Sequence, residues 1–188
     1  KDRLLRCFMF YTNHSITALE QTFGQKKSVI YADVKFILQQ IVYKLGREWL
    51  SIPEAGTPEY NDLIGQGVFT EGGQVIFDTV PYVCDVTCLR INRPTLAQRS
   101  YYNGHKKCHT VDFQCVHSGT GRVYSVCGPV PGSHPDQQTA KECLVYTHTD
   151  KYISPGHSIL ADLAYHGIGD PYLCRISYQS RYTPMENY

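Results

Sequence analysis

Across residues 4–50 apolar side chains recur at helical spacing: Leu4, Leu5, Phe8 and Met9, then Ile16, Leu19 and Phe23, then Val29, Ile30, Val34, Ile37, Leu38, Ile41, Val42 and Leu45. An apolar residue every three to four positions gives each segment one stripe to bury, so the pattern predicts three helices. Ser15 or Thr17 is placed to cap the second, and Phe23-Gly24-Gln25-Lys26-Lys27-Ser28 reads as a short turn whose Ser28 caps the third. A short helix, a tight Gly-bearing turn and a longer helix make the helix-turn-helix layout, whose second helix can enter a DNA major groove. Lys26, Lys27, Ser28, Tyr31 and Lys35 would then stand near the groove or the phosphates. An ordinary helical hairpin with a solvated basic end carries the same pattern.

Beyond residue 50 the period changes. Residues 51–60 carry Pro53, Gly56 and Pro58 and read as a connector, and residues 61–73 hold a short helix and turn. Val75, Ile76 and Phe77 lead into residues 80–94, where Val83, Val86, Leu89 and Ile91 surround Asp85 between Pro81 and Pro94. This predicts a buried strand carrying one carboxylate, and a lone Asp there is an exposed strand residue or a satisfied ion pair unless partners elsewhere make it a site acid. Residues 93–107 are polar and read as a long loop, either a solvated one with packed tyrosines, which composition alone favours, or one whose Lys106 and Lys107 are placed for a nucleic-acid backbone. Residues 109–117 and 122–127 alternate apolar with polar around Ser118-Gly119-Thr120-Gly121, a β-hairpin. A loop over 128–136 precedes a helix over 137–147, with Asp136 as its N-cap. Residues 157–162 form a short strand ending on Asp162, and residues 174–178 suit a last strand. The layout is a helical region (1–50), a connector (51–74) and an α/β domain of mixed pairing (75–188).

Composition narrows the partners little. The 188 residues carry a formal net charge of +1, which argues against a chain built only to coat nucleic acid and leaves room for a local basic patch. No apolar run is long enough to span a bilayer, and the start has no secretory pattern, so an intracellular protein without a membrane partner is expected. The eight cysteines are scattered through apolar patterns, as reduced and mostly buried thiols are. Asn13-His14-Ser15 matches a glycosylation sequon that carries little weight without a secretion signal. The ends at Lys1 and Tyr188 read as those of a fragment.

Asp85 and Asp162 are the chemical candidates. If their strands are neighbours, about 5 Å apart, two carboxylates repel unless a cation neutralises them, and hard oxygen donors suit Mg²⁺ or Mn²⁺. Such ions activate water or a 3′-hydroxyl in phosphodiester chemistry. A zinc site from His105, Cys108, His109, Cys115 and His117 with Cys84 and Cys88 competes weakly, because paired Cys-x-x-Cys spacing is missing and strand alternation separates several of these residues.

The order and wording of this half resemble the DDE endonuclease domain of PIF/Harbinger-type transposases, a ribonuclease-H-like fold. Asp85-Val86-Thr87-Cys88 stands where the family has Asp-Gly-Thr-His, and Tyr101-Tyr102-Asn103-Gly104-His105-Lys106-Lys107 matches its Tyr-Tyr-Asn segment with a basic continuation. Gly132-Ser133-His134-Pro135-Asp136 resembles Gly-Ser-x-His-Asp, and Ala161-Asp162-Leu163-Ala164-Tyr165 resembles Gly-Asp-x-x-Tyr. The helical region resembles the helix-turn-helix preceding such domains. The resemblance implies a nuclear, divalent-metal-dependent transposase that cuts and joins DNA, with a second copy of the chain or an accessory DNA-binding protein as further partner. It makes Asp85 and Asp162 catalytic metal ligands and Asp136 an accessory acid. Val86, Cys88, Pro135 and Ala161 depart from the family's wording. The third carboxylate, a Glu on a later helix, has no counterpart before Tyr188, since Glu186 comes too early. An eroded, non-catalytic DNA-binding or interaction protein is the alternative.

Overall fold

The computed structural model describes residues 2–12, 14–66, 68–69, 75–77, 79–165, 168 and 173–175. The expectations placed on Asn13, residues 176–178 and Glu186 lie outside them. The chain divides into two compact units, residues 1–49 and 50–188.

The first unit is the expected helical trio, α1 (Asp2–Tyr11), α2 (Ile16–Phe23) and α3 (Lys27–Trp49). Ser15 caps α2 by accepting from the Ala18 amide at 3.1 Å. Gly24 closes it in the left-handed region (φ 62°), where an L side chain is disfavoured, and donates to the Glu20 carbonyl at 2.9 Å. Ser28 is not the cap of α3. The Lys26 carbonyl already accepts from the Val29 and Ile30 amides, so the helix starts at Lys27 and Ser28 falls within its first turn. Leu19, Ile30 and Val34 form the small core, backed by Met9, Ile16, Phe23 and Leu38. Asp33 of α3, only 6 % exposed, binds Arg6 and also Arg3 (Nε at 2.9 Å) of α1.

The second unit runs α4 (Pro58–Gln66), β1 (Val68–Phe69), β2 (Val75–Phe77), β3 (Tyr82–Arg90), α5 (Gln98–Tyr101), β4 (Tyr102–Asn103), β5 (Cys108–His117) and β6 (Val123–Pro131). It continues with α6 (Asp136–Glu142), α7 (Leu144–Thr147), α8 (Thr149–Tyr152), β7 (Ile159–Ala161), a 3-10 turn (Leu163–Tyr165) and β8 (Leu173–Arg175). β1 and β2 pair with each other; the remaining strands make one mixed sheet in the order β6-β5-β3-β7-β8, with β4 beside the start of β5. β5 is antiparallel to β3 and β6, as a meander must be, whereas β7 and β8 run parallel to β3. A parallel return needs a crossover, and α6, α7 and α8 supply it.

The core of this unit gathers Tyr60, Tyr82, Val116, Val145, Ile153, Ile159 and Tyr165. Tyr60 sits on α4, with Ile52 and Leu63 in the same core. The segment expected to be a loop over 93–107 contains α5 and β4, and β6 runs on to Pro131 inside the expected 128–136 loop. The helix expected over 137–147 breaks at Cys143, whose extended backbone separates α6 from α7. Asp136 is not the N-cap: the Pro135 carbonyl accepts from the Gln138 and Thr139 amides, which puts Asp136 in the first turn.

Candidate active site

The last three rungs of the β3/β7 ladder are Tyr82 with Ile159, Val83 with Leu160 and Cys84 with Ala161. The next residue on each chain is Asp85 and Asp162. The two carboxylates therefore leave the ladder side by side, on backbones about 5 Å apart. Asp85 is exposed, on a strand whose other face is buried. Alternation explains it: Tyr82 and Cys84 turn into the core, so Asp85 turns out. One oxygen of each is held by the backbone, Asp85 Oδ1 by the Val86 amide at 2.8 Å and Asp162 Oδ1 by the Ala164 amide at 2.9 Å. No ion pair among the described residues engages either acid.

Asp136, in the first turn of α6, feels the charge of both acids. Its carboxyl is pushed above the usual range, first by burial and then by Asp162, Asp112 and Asp85, against the opposing influence of His105. Tyr165, fully buried, has its hydroxyl held protonated mainly by burial, with Cys84, Asp136, Asp85 and Asp162 adding to the effect. Burial likewise pushes the Cys84 thiol up to about 12. Both groups are proton-retaining neighbours of the acids and poor nucleophiles.

Residues 84–187, just over half of the chain, match the family described as DDE superfamily endonuclease. The chain belongs to this family. No curated protein and no solved structure matches it. The matched region of this DDE endonuclease chain opens at the residue before Asp85 and takes in Asp136 and Asp162.

The donors suit a hard divalent ion by type, being carboxylate oxygens with one oxygen of each aspartate free of the backbone bonds described above. Their number is short: among the described residues no three His, Cys, Asp or Glu side chains are grouped to hold a metal. The same holds for the zinc candidates. The Nδ1 of His117 is engaged with the Ser118 carbonyl at 2.8 Å, and the ring of His109 meets Tyr102 edge-on at 5.5 Å. Cys7, Cys84, Cys88, Cys108, Cys115, Cys127 and Cys143 are free thiols.

The basic candidates fall in both units. Lys26, Ser28, Tyr31 and Lys35 are exposed, the last three on one face of α3, while Lys27 lies 3.9 Å from Glu20. Lys106 and Lys107 are exposed in the turn between β4 and β5. The acid that pattern reading missed is Asp112, 2 % exposed on β5 opposite Cys88. Its signal lies in the row Thr110, Asp112, Gln114, Val116, the face of β5 that is buried although three of its four residues are polar.

Proposed function

We propose that this chain is the divalent-metal-dependent DNA endonuclease and strand-transfer domain of a PIF/Harbinger-type transposase, built on a ribonuclease-H-like sheet and acting in the nucleus. The observation that carries the reading is the adjacency of Asp85 and Asp162 at the end of the β3/β7 ladder, within a DDE endonuclease match and, among the described residues, without an ion-pair partner. The strand order, with a three-strand meander followed by parallel strands through a helical crossover, supports it. Asp85 and Asp162 would hold Mg²⁺ or Mn²⁺, which when bound would supply positive charge at the attacking and leaving oxygens of a phosphodiester. The protein's own part is to keep two carboxylates in register, with Asp136 as a third, proton-retaining acid beside them.

The helical unit reads as a helix-turn-helix. α2, a turn closed by Gly24, and α3 with Ser28, Tyr31 and Lys35 exposed on one face have the layout that enters a major groove. Lys26 and Lys27 beside that face, and Lys106 and Lys107 in the catalytic unit, contact phosphates.

The test is nicking of supercoiled DNA in Mn²⁺. Asp85→Asn keeps the shape and removes the charge, so it lowers the nicking rate by at least a hundredfold while leaving folding intact. Nicking by the variant at the unmodified rate overturns the assignment. Salt-sensitive DNA binding without nicking by the unmodified chain returns it to the non-catalytic alternative.

A further inference from the structure

Asp112 is an expensive residue. A carboxyl group 2 % exposed, with Oδ1 making no hydrogen bond among the described residues, and with the Asn103 amide at 3.4 Å from Oδ2 and the Cys88 thiol as its neighbours, costs stability that an apolar residue would not. Its partner Asn103 does three things at once. Nδ2 donates toward Asp112 and, at 4.0 Å, faces Cys88 Sγ, while Oδ1 accepts from the His105 amide at 3.1 Å and the Lys106 amide at 3.0 Å. Those amides belong to the four-residue turn that joins Asn103 to Cys108, the closing pair of the β4/β5 ladder. Lys107 completes that turn in the left-handed region (φ 56°), a conformation that a lysine holds only when its surroundings impose it.

This links a buried acid to three exposed basic side chains. From the turn, His105 acts on Asp136 and Lys106 on Cys88, which pairs with Asp112 across the β3/β5 ladder, so the turn stands by Asp112 and Asp136, on the side of the sheet away from the Asp85–Cys115 rung. We propose that Asp112 is a positioning residue: through Asn103 it fixes the turn, so that His105, Lys106 and Lys107 are held beside the carboxylates to receive the phosphates of a DNA strand entering the site. The inference rests on the DNA-cleavage reading above and adds to it the element that seats the substrate backbone.

The donor–acceptor direction provides the test, made on the full chain. Asn103→Ala removes both links, and Asn103→Asp sets two carboxyl groups against each other. The double variant Asn103→Asp with Asp112→Asn restores the hydrogen bond with donor and acceptor exchanged. In the free protein, hydrogen exchange at the His105 and Lys106 amides should accelerate at least tenfold in both single variants at position 103 and return toward the original rate in the double variant. For a short DNA duplex, the slope of log affinity against log salt should fall by about two in the single variants, at about 0.9 per lost phosphate contact, and recover in the double. Equal exchange rates in Asn103→Asp and the double variant would overturn the proposal, as would an unchanged slope in Asn103→Ala. If Asn103→Ala does not fold, Lys106→Ala with Lys107→Ala, which alters no buried group, must lower the slope by the same amount. A wild-type chain whose DNA binding ignores salt refutes the DNA reading instead, and the exchange rates of the free protein still decide the Asp112 link.

Discussion

Asp136 shows how a site acid reports on folding. Because burial and its acidic neighbours raise its folded value above that of an unfolded chain, the folded state holds this proton more tightly. Its favourable contribution is complete below the unfolded carboxyl range, near pH 4, and is lost as pH rises through the higher folded value. Asp136→Asn removes the charge at nearly constant size, so at pH 7 it should raise the melting temperature by about 2–4 °C, and the gain should vanish below about pH 4. A variant that melts lower than wild type at pH 7 contradicts this. The identity of the site acids was legible in the sequence as punctuation of apolar runs, and an exposed Asp85 was among the readings it allowed, but the burial of Asp112 was not legible. Asp85 sits among Val83 and Val86 and yet is exposed, whereas Asp112 sits in an alternating strand whose polar residues face inward. Pattern assigns faces by hydrophobicity, and here a packed loop overrides it. A Cβ on Gly132 would overlap Thr110 Oγ1 and come within 3.0 Å of the Thr110 and Tyr101 carbonyls, so the 131–135 turn lies directly on that polar row.

At the level of elements, the three helices of the first unit follow from spacing alone, because each stripe found a partner: Leu19 against Ile30 and Val34. What spacing does not reveal is the polar tie between α1 and α3. Asp33 holds Arg6, itself 9 % exposed, whose guanidinium also lies 5.5 Å over the Phe23 ring. Removing one partner leaves a buried charge uncompensated. Asp33→Ala should therefore cost about 3–5 kcal/mol in the stability of the helical unit, read as early loss of helical signal in urea; a cost below about 1 kcal/mol would show the pair to be dispensable. In the second unit the meander and the crossover were readable from period and turn residues. The break at Cys143 and the short α5–β4 insertion were not, since four-residue helices and two-residue strands have too few positions to show a period.

For the whole molecule, a formal net charge of +1 leaves any DNA affinity to local basic clusters. If the helical unit reads DNA, Lys26→Ala with Lys27→Ala should weaken binding at least tenfold at low salt and flatten its salt dependence by about two phosphate contacts, measured by fluorescence anisotropy. An unchanged slope would remove that unit from the interface. The parallel ladder that aligns the acids has a different kind of consequence. Asp85 and Asp162 are distant in sequence and are brought together by three rungs only, Tyr82–Ile159 to Cys84–Ala161. The hairpin turn at Ser118–Gly121 lies off this ladder and so has freedom to change length, while β7 acts as a vernier. A slip of a single rung there carries Asp162 about 3.3 Å along the strand direction and reverses its side, which makes the length of that short strand the dimension this domain has least freedom to alter.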